Sequence, residues 1–68
     1  MVKLKSGLLL QVKRKEKGWT QEQLGKYLGL SRQTISLYER NILIPRPKHM
    51  KKISEVLDTD IKELFFND

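Results

Sequence analysis

The sequence predicts an all-α fold, a compact domain of five short helices. Three observations predict it: helix start and stop residues recur about every ten positions, alternating β-branched stretches are missing, and the apolar residues repeat at helical spacing. The 68 residues suit a single domain, 1–68, with space for one core.

The first helix is expected over 6–17, with Ser6 as its N-cap and Gly18 as a left-handed terminator. The second, over 21–28, has a well-formed start: Thr20 caps, Gln23 completes a capping box, and Trp19 staples onto Leu24. Gly29 ends it. Ser31 caps the third helix, over 32–39, where Leu30 can staple onto Ile35. A loop over 41–46 follows, in which Asn41 suits a left-handed conformation. Pro47 fits the first turn of the fourth helix, 47–57, whose apolar stripe is Met50, Ile53, Val56 and Leu57. Asp60, with Glu63 as box partner, opens the fifth helix, 61–66, which buries Ile61, Leu64 and Phe65. Trp19 at a staple position and Phe65 on a stripe belong to core packing, and Phe66 lies off that face.

Gly29-Leu30-Ser31 is too short a link for the second and third helices to lie alongside each other, so they must cross steeply. A crossing needs a small residue at closest approach, and Gly25 provides it. Leu24, Leu28, Leu30, Ile35 and Tyr38 then point inward, which is the spacing of a helix-turn-helix. Arg32, Gln33, Ser36 and Leu37 are left on the outer face of the third helix. Arg can grip guanine O6 and N7, Gln can grip adenine N6 and N7, Ser can donate or accept, and an outward Leu suits a thymine methyl. A merely solvated face could carry the first three; Leu37 fits that reading less well.

Charge placement agrees. Residues 1–40 hold nine Lys/Arg against three Asp/Glu, while 41–68 hold five of each, so the whole excess of +6 lies with the motif. Such a field attracts a polyanion. With no cysteine and one histidine, His49, neither a disulfide nor a metal cluster is expected, and Lys51 and Lys52, next to His49, read as a solvated face. Met1 to Val12 has too short an apolar run, Leu8-Leu9-Leu10, for a signal peptide, and nothing approaches the ~20 apolar residues of a membrane span. The expectation is a cytoplasmic, nucleoid-associated protein with no membrane partner.

Three runs carry a resemblance: Lys17-Gly18-Trp19-Thr20-Gln21-Glu22-Gln23-Leu24, then Leu28-Gly29-Leu30-Ser31-Arg32-Gln33-Thr34-Ile35-Ser36, closing on Tyr38-Glu39-Arg40. From Leu10 through Pro45 to Leu64 the chain resembles the Cro/lambda-repressor-type helix-turn-helix family, often called the XRE family. The resemblance implies a lambda-repressor-like DNA-binding domain and a sequence-specific transcriptional regulator of repressor type. Gln21 matches a family Gln that contacts a DNA phosphate and braces the next helix, and Arg32, Gln33 and Leu37, with Ser36 nearby, match base-reading positions. Arg14 and Glu39 match a pair that bridges the first and third helices in repressors of this family. The other reading of Arg14 is a surface cation within Lys13-Arg14-Lys15. With Gln21, the phosphate contacts expected are Lys26, Thr34, Arg40, Arg46 and Lys48. The chain departs from the family in having Gly25 for the usual Ala, Arg40-Asn41 where Asn-Gly is frequent, and Pro47 and His49 at the start of the fourth helix. It departs also in the apolar loop Ile42-Leu43-Ile44, which reads either as packing beneath the loop or as a partner surface.

The leading expectation is a homodimer, at least on DNA, bound to a double-stranded operator through half-sites one helical turn apart, with Ile42, Leu43, Ile44 and Phe66 as the candidate dimer surface. The alternatives are an antitoxin-type autoregulator and a protein-interaction module that has kept this fold without DNA binding. An enzyme is the least supported class: no catalytic constellation, phosphate-cradling glycine loop, cofactor motif or small-molecule site is legible.

Overall fold

The computed structural model describes residues 6–66. Five helices follow in order: α1 (Ser6–Glu16), α2 (Gln21–Leu28), α3 (Arg32–Glu39), α4 (Pro47–Val56) and α5 (Ile61–Phe65). No strand forms among the described residues. Met1 to Lys5 and the Asn67-Asp68 tail, with the sequence readings placed on them, lie outside the described residues.

α1, α4 and α5 each stop one residue short of the expected end. Lys17 enters the turn that Gly18 completes at φ 78°, and Leu57 and Phe66 take capping conformations at φ −92° and −126°. Ser6 is not a cap outside the helix: it is already helical and buried. Thr20 and Gln23 form the full capping box, Oγ1 of Thr20 accepting from Gln23 N–H and Gln23 Oε1 accepting from Thr20 N–H. Ser31 Oγ accepts from Thr34 N–H at 3.2 Å. The box expected between Asp60 and Glu63 does not close; Asp60 instead takes the N–H of Lys62, two residues on, at 2.8 Å. Asp58, at φ 51°, makes an unanticipated left-handed turn before it.

Leu10, Leu24, Ile35, Ile53, Leu57, Leu64 and Phe65 lie wholly inside, with Leu28, Tyr38 and Met50 nearly so. Each such side chain contributes about 1.5–3 kcal/mol by leaving water. Leu30 is half-buried and packs on the rim of this core with Leu9, Trp19, Val56 and Ile61. The Trp19 ring also meets Tyr27 edge to face, centroids 5.7 Å apart.

α2 and α3 share the largest helix–helix contact, and α1 packs against α3 from behind. At the corner, a Cβ on Gly25 would lie 2.8 Å from the Leu30 carbonyl oxygen and 3.2 Å from the Ser31 carbonyl. The turn folds straight back onto α2, and only glycine leaves it that space. The domain measures 28 × 23 × 20 Å.

Candidate nucleic-acid interface

Ile35, Tyr38 and Glu39 are buried along one side of α3, so the helix is fixed from beneath. The opposite side faces out: Arg32 and Gln33 are exposed, and Ser36 and Leu37 are half-buried. A shallow groove gathers Arg32, Gln33, Ser36, Leu37 and Arg40 from α3 and its C-cap with Gln21 from the start of α2. All four base-reading candidates therefore share one concave surface with two of the phosphate candidates. Leu37 sits in the groove wall rather than standing fully in solvent, because its backbone carbonyl anchors the loop, accepting from Ile42 N–H at 3.0 Å and Leu43 N–H at 3.3 Å.

A second groove adjoins the first through Gln21 and Arg32 and runs towards α1, lined also by Lys15, Gly18, Thr20 and Glu22. It brings in Lys15, a cation to which the sequence reading assigns no role; only the fold shows that the end of α1 reaches the start of α2. Lys26, Arg46 and Lys48 are exposed outside both grooves. Thr34 is half-buried, its hydroxyl 3.0 Å from that of Ser31, so its expected phosphate contact would compete with the cap. Arg40 lies back along α3, its Nε donating to the Ser36 carbonyl at a long 3.4 Å, a tether weak enough to release.

Behind the groove is a charged network. Arg14, on α1, grips the buried Glu39 carboxylate with two bonds, from Nε to Oε2 and from Nη2 to Oε1, and its Nη1 donates to the Trp19 carbonyl at 2.7 Å. Arg14 is thus no free surface cation. Gln21 Nε2 donates to Glu39 Oε1 at 3.1 Å, so one carboxylate at the end of α3 ties α1, α2 and α3 together. This also fixes the Gln21 amide, whose nitrogen faces Glu39 and leaves its oxygen free to turn to the groove. Next to Glu39, burial pushes the Tyr38 phenol above its ordinary 10.0, opposed by the nearby Arg46 charge.

Ile42, Leu43 and Ile44 are exposed by 63%, 43% and 60%, which excludes packing beneath the loop. Pro45 is the loop residue that is buried. Phe66 is also exposed.

A two-helix corner with a polar, cation-flanked outer helix defines a class, that of DNA-binding transcriptional regulators built on a helix-turn-helix. The comparisons with known proteins agree. The chain belongs to the XRE-type helix-turn-helix family: the family model described as Helix-turn-helix matches residues 10–64. The chain is 35% identical over 60 residues to the ImmF control region 10 kDa protein of Bacillus phage phi105, covering 88% of this chain and 67% of that one. It is similar in structure to the P22 c2 repressor protein, solved in complex with synthetic operator 9T in the presence of Tl+. That match has a TM-score of 0.85 at 28% identity and covers 93% of this chain and 96% of the other.

Proposed function

We propose that this regulator, one helix-turn-helix domain over residues 1–68, reads a roughly two-fold symmetric operator in double-stranded DNA as a homodimer and acts as a repressor. α3 enters the major groove. Arg32, Gln33, Ser36 and Leu37 read base edges. Gln21, Lys26, Thr34, Arg40, Arg46 and Lys48, with Lys15 added from the second groove, hold the phosphates. The reading assigns no catalytic residue, metal, cofactor or small-molecule ligand, and it places the protein in the cytoplasm on the nucleoid.

What carries the proposal is the single groove that unites the four base-reading candidates on a helix clamped from behind. Half-sites one turn apart set the two copies of α3 ~34 Å from each other. A body of 28 × 23 × 20 Å is smaller than that spacing, so neighbouring copies touch only where each leans towards the two-fold axis. The exposed Ile42-Leu43-Ile44 loop directly follows α3 and supplies apolar surface for the contact, with Phe66 as the other candidate. Mutual repulsion of two +6 domains is relieved once phosphates neutralise them, so assembly is strongest on DNA.

The test is selection of bound sequences from random duplex DNA, followed by two variants. Gln33→Ala changes preference at one base position, by about 1–3 kcal/mol. Arg46→Ala weakens all duplexes alike and lowers the salt slope by about one. Identical losses for every sequence in both variants would remove the base-reading assignment. Ile42→Ser with Ile44→Ser leaves half-site binding intact and abolishes cooperativity between half-sites; unchanged cooperativity would remove the loop from the interface. Binding that does not weaken with salt would favour the protein-interaction reading of the exposed loop instead.

A further inference from the structure

The C-terminal end of α3 is held on α1 at a second place, two helical turns from Arg14. A Cβ on Gly7 would lie 2.7 Å from the Tyr38 carbonyl oxygen and 2.7 Å from the Glu39 carbonyl carbon, closer still to the Glu39 oxygen. The last carbonyls of α3 thus rest directly on the α1 backbone. Beside this contact the Gly7 N–H donates to Asn41 Oδ1 at 3.0 Å. Asn41 offers its side chain there because its backbone is left-handed, at φ 60°, just past the C-cap of α3. The negative end of one helix dipole meets the start of another, which favours the arrangement.

We propose that Gly7 and Asn41 are positioning residues that set the angle of α3, and through it the discrimination between DNA sequences; the inference rests on the DNA reading above. Gly7 and Arg14 are seven residues, about 10.5 Å, apart along α1. Glu39 is held at both places: its carboxylate by Arg14, its main-chain carbonyl against Gly7. A helix end held at one point can pivot, whereas one held at two points keeps its direction. Base-edge hydrogen bonds require that direction because they weaken steeply when misaligned. Phosphate attraction acts over about a Debye length and tolerates a tilt. Loss of the second point therefore reduces discrimination more than affinity.

Asn41→Gly removes the acceptor and accepts the left-handed backbone; Asn41→Asp keeps an acceptor oxygen at the same place. The readout is the ratio of affinities for the duplex enriched by the wild-type chain from a random pool and for an unselected duplex. That ratio cancels a general change in charge. The expected result is a fall of about five-fold in the ratio for Asn41→Gly, the equilibrium worth of one net hydrogen bond, with far-UV circular dichroism unchanged and Asn41→Asp close to wild type. An unchanged ratio in Asn41→Gly overturns the proposal, as does an Asn41→Asp variant that loses as much. If Asn41→Gly does not fold, amide exchange of wild-type Gly7 decides: protection supports the clamp and fast exchange overturns it. A wild-type chain that enriches no sequence overturns the DNA reading and the clamp together; the ratio is then one before any substitution is made.

Discussion

Arg14→Met leaves the Glu39 carboxylate in the interior with the Gln21 Nε2 hydrogen bond in place of the two-bond guanidinium grip at the junction of α1, α2 and α3. The two side chains are only 7% and 3% exposed, so water cannot replace the lost guanidinium without opening the structure. Removing one member of a buried pair costs about 3–5 kcal/mol, because the surviving charge is stranded. Typical stability of about 0.05–0.15 kcal/mol per residue gives roughly 3–10 kcal/mol for a chain of 68 residues. The substitution therefore removes a large share of the stability, possessing no disulfide to offset it. Arg14→Met with Glu39→Leu strands no charge, since buried pairs replaced by apolar groups of similar volume are often neutral or better. It still orphans the Trp19 carbonyl and the Gln21 amide, at about 1–3 kcal/mol each where they stay buried. The double variant is expected to recover at least about 2 kcal/mol over the single one. Urea unfolding followed by circular dichroism and by Trp19 emission measures both. A loss below about 1 kcal/mol in the single variant, or a double variant no more stable than it, would refute the argument that the charges are locked in a dry junction.

Further predictions follow from local geometry. Gly25→Val overpacks the corner against the Leu30 and Ser31 backbone and is expected to cost about 1–3 kcal/mol or more, read as a drop in urea midpoint; a midpoint equal to wild type would show the turn to be freely movable. Thr20→Ala removes one half of the capping box, an expected loss of about 1 kcal/mol in the same assay, and Thr20→Ser restores it. His49 is held below its ordinary 6.5, first by burial and then by the charges of Lys48, Lys52 and Arg46, and its buried Nδ1 has no partner. In the window between that lowered value and 6.5 the unfolded chain binds the more protons, so His49 costs nothing above 6.5 and stability falls as pH drops through the window. His49→Gln flattens the slope, and a wild-type urea midpoint constant from about pH 7.5 to 5 would contradict the assignment.

Helix starts were legible because they are local. Thr20, Ser31 and Pro47 act on backbone groups within three residues, and Gly18, Gly29 and Asn41 supply left-handed turns where the sequence puts them. The outward set on α3 was legible for the same reason, since helical periodicity fixes which residues oppose Ile35 and Tyr38. Contacts between distant residues leave no local mark. Gly7 has no turn to explain it until α3 is placed on top of it, and the Gly7–Asn41 bond spans 34 positions. The Arg14–Glu39 pair, 25 positions apart, was reached only through family resemblance. Lys15 joined the candidate surface because the end of α1 adjoins the start of α2, and the Trp19–Tyr27 contact depends likewise on where the chain turns.

The buried charges and the exposed ones do different physical work, and this explains why so small a domain retains a costly ion pair. An apolar replacement for Arg14 and Glu39 could hold α1 on α3 about as firmly, but it would not fix one angle, since apolar contacts are non-directional. A two-bond guanidinium–carboxylate pair is directional, and the Gln21 bond extends that direction to α2. Cations such as Lys26 and Lys48 stand on mobile stems and need only be near a phosphate to attract it. On the proposed reading, the rigid junction sets the direction in which α3 presents its base-reading side chains, and the loose periphery supplies affinity. Changes inside the junction should then alter which DNA is preferred, and changes at the periphery how tightly any DNA is held.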